Sequence, residues 1–158
     1  MIMMTSETNT PPAPALTGSN SVPPNIVEMI ETVIFSLEED NSAMVSRTEE
    51  GHVWKFRYGS VEVFVQLTGQ TDEDTFSVWS SVLALPAKNE PQLMRKLLAM
   101  NWADTFEARF CILGDNVVVS TTRVVAELSP GEISRHITVV ATIADEQDDL
   151  LQDEFGQS

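Results

Sequence analysis

The sequence is poor in cysteine and in basic residues, and each shortage excludes a class of structure or partner. Cys111 is the single cysteine, so no disulfide forms within the chain, and we expect a reducing, cytoplasmic location. Nine Lys and Arg residues stand against 24 Asp and Glu, for a formal net charge of −15. Phosphate contacts need clustered basic residues, so this balance disfavours nucleic acid and anionic membrane surfaces as partners. It favours solubility, and by charge alone it suits a basic partner.

Long apolar runs are also missing. No stretch approaches the ~20 consecutive apolar residues that a membrane-spanning helix needs. The first twenty residues lack the basic region and the continuous apolar segment of a signal peptide. We therefore expect neither membrane insertion nor export by such a signal.

Catalytic and metal-binding motifs are absent as well. His52 and His136 have no other ligand at metal-binding spacing, and no phosphate-binding loop or nucleophile motif is present. The acidic clusters 38–40 and 72–74 lack the spacing of a calcium loop. Cys111 lies among apolar residues of a predicted strand, where a buried, unreactive thiol is the usual case. These shortages predict a protein that is not an enzyme, with no catalytic residues, no cofactor and no metal.

Composition divides the chain into three parts. Residues 1–24 hold five of the eight prolines and predict a disordered leader. Residues 25–148 alternate apolar and polar positions as one folded α+β domain does. Six acidic residues in ten at 145–154 indicate a fraying helix end or an acidic tail, which we place at 149–158.

Three helices are predicted from capping residues and apolar spacing. Asn25 with Glu28, and Ser129 with Glu132, have the pattern of capping boxes. Asn89 precedes the second helix as its predicted cap, and the wide apolar arc that follows predicts deep burial. That arc consists of Leu93, Met94, Leu97, Leu98, Ala99 and Met100, and the predicted buried stripe of the last helix consists of Ile133, Ile137, Val140, Ala141 and Ala144.

Two hairpins and one further strand are predicted from alternating apolar residues. The first hairpin turns at Gly59-Ser60, which places Phe56 opposite Val63 and Lys55 opposite Phe64. A single strand is expected at 75–85. The second hairpin turns within 114–116, and its register depends on whether the loop has two, three or four residues. The resulting fold class is α+β, with three helices and a single largely antiparallel sheet in the order α-β-β-β-α-β-β-α. A short extended segment at 43–47 is left outside that order.

Several large apolar side chains fall on the face opposite the main apolar face of the predicted sheet. Three explanations remain open: the first helix or a long loop covers this second face, two copies of the chain pack together, or a partner binds there. The candidate interaction surface consists of Phe64, Trp79, Leu83, Leu113 and Val118, with Cys111 beside them.

The order of elements resembles the YbjN family of bacterial sensory-transduction regulators and, more distantly, the class I type III secretion chaperones. The segment that carries the resemblance is "LLAMNWADTFEARFCILGDNVVVSTTRV", supported by "LSPGEI" before the last helix. The resemblance spans roughly residues 25 to 150. It implies a chaperone-like fold, a tendency to form homodimers and a role in binding proteins.

These observations together predict a non-enzymatic protein-binding or regulatory module of the YbjN-like kind that acts as a homodimer. Its partners are a second copy and a protein client, without nucleic acid or membrane. The alternative is a sensor domain that binds a small molecule or a metal.

Overall fold

The computed structural model describes residues 25–49 and 51–157. The predicted leader, 1–24, lies outside these residues. The described chain forms three helices and six strands. Their bounds are α1 Ile26–Leu37, β1 Met44–Thr48, β2 Gly51–Tyr58, β3 Val61–Leu67, β4 Thr75–Ala84, α2 Glu90–Ala103, β5 Arg109–Leu113, β6 Asn116–Val124 and α3 Pro130–Phe155.

The helix starts follow the capping residues in two cases out of three. The side chains of Asn25 and Ser129 each accept a hydrogen bond from the backbone three residues on, and both capping boxes are complete. Asn89 is at the N-cap position of α2, but its backbone is left-handed and its side chain makes no capping bond. That prediction is wrong, because the αL backbone turns the Asn89 amide away from the first turn.

The strands form one six-stranded antiparallel sheet in the order β1-β2-β3-β4-β6-β5. The α+β class and the predicted order are confirmed, and the extended segment at 43–47 proves to be an additional edge strand, β1. The first hairpin has the predicted register, with Phe56 opposite Val63 and Lys55 opposite Phe64. In the second hairpin Leu113 faces Asn116, so the loop has two residues.

The register breaks once, within β4. A β-bulge between Ser81 and Leu83 places Leu83 opposite Val117, on the helix side of the sheet, where Leu83 is buried. Strict alternation along β4 had placed Leu83 beside Trp79 on the opposite face. That assignment is wrong, because one extra residue in a strand reverses the direction of every side chain after it.

The core lies between one face of the sheet and the helices. We call this face the inner face and the opposite one the outer face. Helix α3 packs across β3, β4 and β6, while α1 packs against α3. Ile30 and Ile34 of α1 are buried in the same cluster as Phe56 of the inner face, so α1 does not cover Phe64. Helix α2 packs beside β5 through Leu93 and Leu97.

The C-terminal acidic stretch belongs to the domain. Helix α3 continues to Phe155, and both Leu151 and Phe155 are buried in the core. The tail predicted at 149–158 is therefore helical as far as Phe155. Acidic residues at 145–154 occupy the polar side of an amphipathic helix, and the two apolar residues anchor it.

The turn between β2 and β3 is fastened to α3. Asp145 accepts hydrogen bonds from the Ser60 backbone N–H at 2.8 Å and from the Ser60 hydroxyl at 2.9 Å. Gly59 has a positive φ of 57°, and a Cβ added there would overlap the Asp145 carboxylate. Both the backbone angle and the close approach of Asp145 require glycine at this position.

Gly59→Ala is expected to destabilise the domain by ~2 kcal/mol, because it adds left-handed strain and displaces the Asp145 carboxylate. Urea unfolding followed by circular dichroism checks this value. Gly114→Ala is the matched control. Gly114 has a similar positive φ but no atom near its added Cβ, so it should cost less than Gly59→Ala. Equal losses of unfolding free energy in the two variants would show that the Asp145 carboxylate does not contribute to the requirement for glycine at position 59.

Candidate interaction surface

The outer face has an aromatic pair at its centre. Phe64 of β3 and Trp79 of β4 are cross-strand partners, and their rings stack with centroids 5.4 Å apart and planes 9° apart. Both side chains are partly exposed. In the described chain, the helices all pack on the inner face or beside β5. Each ring of the aromatic pair is therefore partly covered by the other ring, and the remaining surface of both rings is exposed to solvent.

Strand pairing aligns a row of side chains across the outer face. Lys55 is opposite Phe64, Trp79 is opposite Ser120, and Ser120 is opposite Arg109. The row therefore runs Lys55, Phe64, Trp79, Ser120, Arg109, with one residue from each successive strand. The antiparallel ladder holds these side chains on one face in a fixed order.

Four of the five residues of the candidate interaction surface lie on the outer face, and Leu83 does not. Phe64 and Trp79 are partly exposed and Leu113 is 53% exposed. Val118 faces the same way but is only 3% exposed, so it forms the floor of the surface. The structure brings these four side chains to one face.

Two shallow grooves flank the aromatic pair. One, of about 300 Å³, has Trp79, Val118 and Leu113 on its apolar side and hydroxyl groups such as that of Ser120 on its polar side. The other, of about 260 Å³, runs along Phe64, Met44 and Val53 toward the free edge of β1. The surface therefore consists of an aromatic ridge between two grooves, which can receive side chains on both sides.

Cys111 faces the first groove and is exposed, not buried as the sequence pattern suggested. The residue is exposed, but its sulfur is partly shielded from water, and this desolvation raises the pKa of the Cys111 thiol. A hydrogen bond with Ser120 partly offsets that rise. A thiol with a raised pKa is a poor nucleophile near neutral pH, since the thiolate is the reactive form.

A second apolar surface, which the sequence did not suggest, lies where α2 meets the edge strand β5. Trp102 is 93% exposed, Leu98 is 70% exposed and Ile112 is 56% exposed. A groove of about 320 Å³ runs beside them, lined by Met94, Leu97, Leu98, Phe110, Cys111 and Ile112. The arc of α2 had predicted deep burial, but only Leu93 and Leu97 are buried. The α2 arc is wider than the face that β5 can cover. Trp102, which follows that arc in the sequence, is the one residue whose size could have indicated an exposed apolar surface here. We call this surface the α2–β5 edge.

Asn101 closes part of the free edge of β5. Its side-chain amide accepts from the Phe110 N–H at 2.7 Å and donates to the Phe110 C=O at 3.2 Å. The Asn101 amide thus takes the place of a neighbouring strand at Phe110. Continuous strand pairing at this edge is blocked, and contact there has to use side chains.

The remaining candidate residues serve the fold. Asp74 accepts hydrogen bonds from Thr71 and Thr68, which lower the pKa of its carboxyl group. Within 25–49 and 51–157, no three His, Cys, Asp or Glu side chains are grouped so as to hold a metal ion. None of the described helices is both long and apolar enough to cross a membrane.

His136 on α3 makes the stability of the domain depend on pH. Burial lowers its pKa, while the charge of Glu107 partly offsets the effect, and its Nδ1 is buried without a hydrogen-bond partner. Its ring lies against Phe76, with centroids 6.2 Å apart. The unfolded chain therefore binds a proton at higher pH than the folded chain does.

Acidification is expected to lower the thermal midpoint as the pH falls below the ordinary histidine pKa of about 6.5, because protons then favour the unfolded state. The His136→Gln variant should lose this dependence between pH 7.5 and 5.5. Carboxyl groups with lowered pKa values, such as those of Glu107 and Glu132, act only at more acidic pH. A wild-type midpoint that is flat over this range would contradict the prediction. Scanning calorimetry at several pH values measures it.

Comparison with known proteins places the chain in a family. The family model described as "Putative bacterial sensory transduction regulator", YbjN, matches residues 27–153. A chain in the crystal structure of the ExsC–ExsE complex is similar at a TM-score of 0.47 and 15% sequence identity, over 72% of this chain and 79% of that chain. No protein of curated function matches. Because the family model spans nearly the whole described domain, the chain belongs to the YbjN family.

Proposed function

We propose that this protein is a non-enzymatic, homodimeric module that binds another protein on the outer face of its sheet. The observation that carries the proposal is the stacked pair of Phe64 and Trp79 at the centre of a face that no helix within 25–49 or 51–157 covers. Leaving large aromatic side chains in water forgoes roughly 1.5–3 kcal/mol each. Apolar surface of this kind marks interaction sites.

The shape of the outer face fits a polypeptide better than a small molecule. Its two grooves are open and shallow, and they extend on either side of the aromatic ridge. Small-molecule sites are usually enclosed and bury most of the ligand. An extended segment of a protein can instead insert successive side chains into both grooves.

The α2–β5 edge is the surface that we assign to the homodimer. Trp102 projects from the same patch that contains the groove beside Leu98 and Ile112. A two-fold interface brings the same patch of both copies together, so a protruding side chain can enter the groove of its partner and receive one in return. Trp102 is the protruding side chain, and the groove between α2 and β5 is the space that it enters.

Charge also favours this edge for self-association. The chain has a net charge of −15, so two copies repel each other over most of their surface. Residues 90–113, which build α2 and β5, contain three basic and three acidic residues and are neutral. Contact at this neutral segment minimises the repulsion between the two copies.

A capture experiment tests the binding role. Purified wild-type protein and Trp79→Ser, immobilised at equal density, are incubated with lysate of the source organism, and bound proteins are identified by mass spectrometry. One protein recovered stoichiometrically by the wild type and reduced at least tenfold by Trp79→Ser is the expected result. Equal recovery by both would place the binding site elsewhere and contradict the proposal.

A further inference from the structure

The charges on the outer face have the opposite balance to those of the whole chain. Four charged side chains occupy outer-face positions of the strands. They are Lys55, Arg57, Glu62 and Arg109, so three of the four are basic in a chain with 24 acidic and nine basic residues. The strand positions of the face proposed to bind a protein therefore carry a net positive charge in an acidic molecule.

Two of these cations stand at the ends of the aromatic row. Lys55 lies opposite Phe64 on the neighbouring strand. At the other end, Ser120 lies between Trp79 and Arg109, opposite both of them. Neighbouring strands are ~4.8 Å apart, so four intervals separate Lys55 from Arg109 by ~19 Å. An aromatic pair is thus framed along one line by two positive charges.

Both framing charges are available to a ligand. Lys55 has a single ion pair in the described chain, with Glu62 at 3.6 Å, and both side chains are exposed. Exposed pairs of this kind contribute little and exchange readily. The Arg109 guanidinium donates through Nη1 to the carbonyls of Phe106 and Ala108, both at 2.6 Å, and to the Thr105 hydroxyl at 3.4 Å. Within 25–49 and 51–157, no carboxylate lies within ion-pair distance of Arg109.

We infer that the outer face binds an extended protein segment with two apolar residues between two acidic residues, the acidic residues six positions apart. An extended chain advances ~3.3 Å per residue, so six positions span ~20 Å, the distance between Lys55 and Arg109. Alternate side chains point to the same face. Positions 0 and 6 of the segment then meet the two cations, and positions 2 and 4 lie over Phe64, Trp79 and the groove above Val118.

The net charge of the whole chain favours a basic partner, whereas the local charge of the outer face favours an acidic one. At physiological salt the screening length is ~8 Å, so exposed charges beyond the contact region are strongly attenuated. Lys55 and Arg109 lie within the contact row itself and act at a few ångströms. Local charge therefore determines which segment binds, and total charge contributes mainly at low salt.

The inference rests on the proposed function and deepens it, and defined peptides test it. Three fluorescent peptides share two Leu residues. The first is Ser-Asp-Ser-Leu-Ser-Leu-Ser-Asp-Ser, the second has Lys in place of both Asp, and the third has the composition of the first with its Asp residues adjacent. Binding is measured by fluorescence anisotropy at 0.15 M salt. The first peptide is expected to bind about tenfold more tightly than either of the others. Both of its Asp residues can pair with Lys55 and Arg109, whereas the Lys residues of the second are repelled and the adjacent Asp residues of the third cannot reach both cations.

Matched variants locate the binding. Lys55→Glu combined with Arg109→Glu should abolish the preference for the first peptide, and Trp79→Ser should weaken it. Lys88→Glu combined with Arg47→Glu makes the same charge change at exposed positions away from both the outer face and the α2–β5 edge and should have little effect. Tighter binding of the Lys peptide, equal binding of the adjacent-Asp peptide, no binding of any peptide, or insensitivity to Trp79→Ser would each overturn the inference.

The capture experiment separates this inference from the binding role on which it rests. A partner that Trp79→Ser loses but that the Lys55→Glu and Arg109→Glu variant retains leaves the binding role intact and refutes the acidic segment. A partner retained by Trp79→Ser refutes the binding role itself.

Discussion

Trp102→Glu is expected to abolish the proposed self-association, so that the variant stays monomeric at concentrations where the wild type forms dimers. Truncating a buried tryptophan at an interface costs ~2 kcal/mol or more, and a two-fold interface contains the residue twice. The dissociation constant should therefore rise by about three orders of magnitude. Because Trp102 is 93% exposed in the protomer, its replacement should leave the unfolding free energy of the monomer almost unchanged. Sedimentation velocity over a dilution series measures the association.

Phe35→Glu is the control for this variant. Phe35 is also a large, exposed aromatic residue, but it lies on α1, next to the opposite edge of the sheet near Met44. It adds the same negative charge without touching the α2–β5 edge, so the dimer should persist. A monomeric wild type, or a dimer that survives Trp102→Glu combined with Leu98→Glu, would show that the α2–β5 edge is not the interface.

Replacing both members of the aromatic pair, as Phe64→Ser with Trp79→Ser, is expected to abolish partner capture while the domain still folds. Hot-spot residues in the centre of an interface contribute ~2 kcal/mol or more each, so the double variant should weaken binding by about a thousandfold. The loss in stability should be smaller, ~1–3 kcal/mol, because both side chains are only partly buried. Titration calorimetry with the captured partner and urea unfolding measure the two quantities.

Gly59→Ala is the control that distinguishes the loss of the aromatic contacts from a general loss of stability in the double variant. It is expected to reduce stability by ~2 kcal/mol through the turn and Asp145, and Gly59 is in a loop, not on the outer face. If Gly59→Ala binds the partner as the wild type does, the effect of the double variant is local to the aromatic pair. A similar loss of binding in both would attribute the effect to instability.

Alternation and capping predicted most of the fold because each is a local property. The register of β2 and β3 follows from a two-residue turn and a period of two, so the opposition of Lys55 and Phe64 was readable in advance. The capping boxes at Asn25 and Ser129 depend on residues three positions apart and were predicted for the same reason.

The errors arise where tertiary context overrides a local pattern. Nothing in the apolar alternation of β4 marks the bulge that moves Leu83 into the core. Leu150 and Leu151 interrupt an acidic stretch, but only the packing of α3 shows that Leu151 is buried while Leu150 is exposed. The exposure of Leu98 depends on how little of α2 the edge strand β5 covers, which no spacing in the helix encodes.

The candidate surface was partly predictable because the alternation of side chains along a strand is a local property. Phe64 and Trp79 were assigned to one face by period two, and their stacking follows from the pairing of β3 with β4. The alignment of Lys55 and Arg109 with that pair required the strand order across the sheet, in which β6 lies between β4 and β5. Strand order depends on long-range contacts, so the charge balance of the outer face emerged only from the structure.

Site-specific photo-crosslinking can establish whether a protein partner lies on the outer face. A benzophenone amino acid is introduced at Ser77, an outer-face position next to the aromatic pair, or at Ser36, on the exposed part of α1. The two proteins are irradiated with the captured partner. We expect a crosslinked product from position 77 and none from position 36. A crosslink from position 36 alone would contradict it and place the partner on the helices.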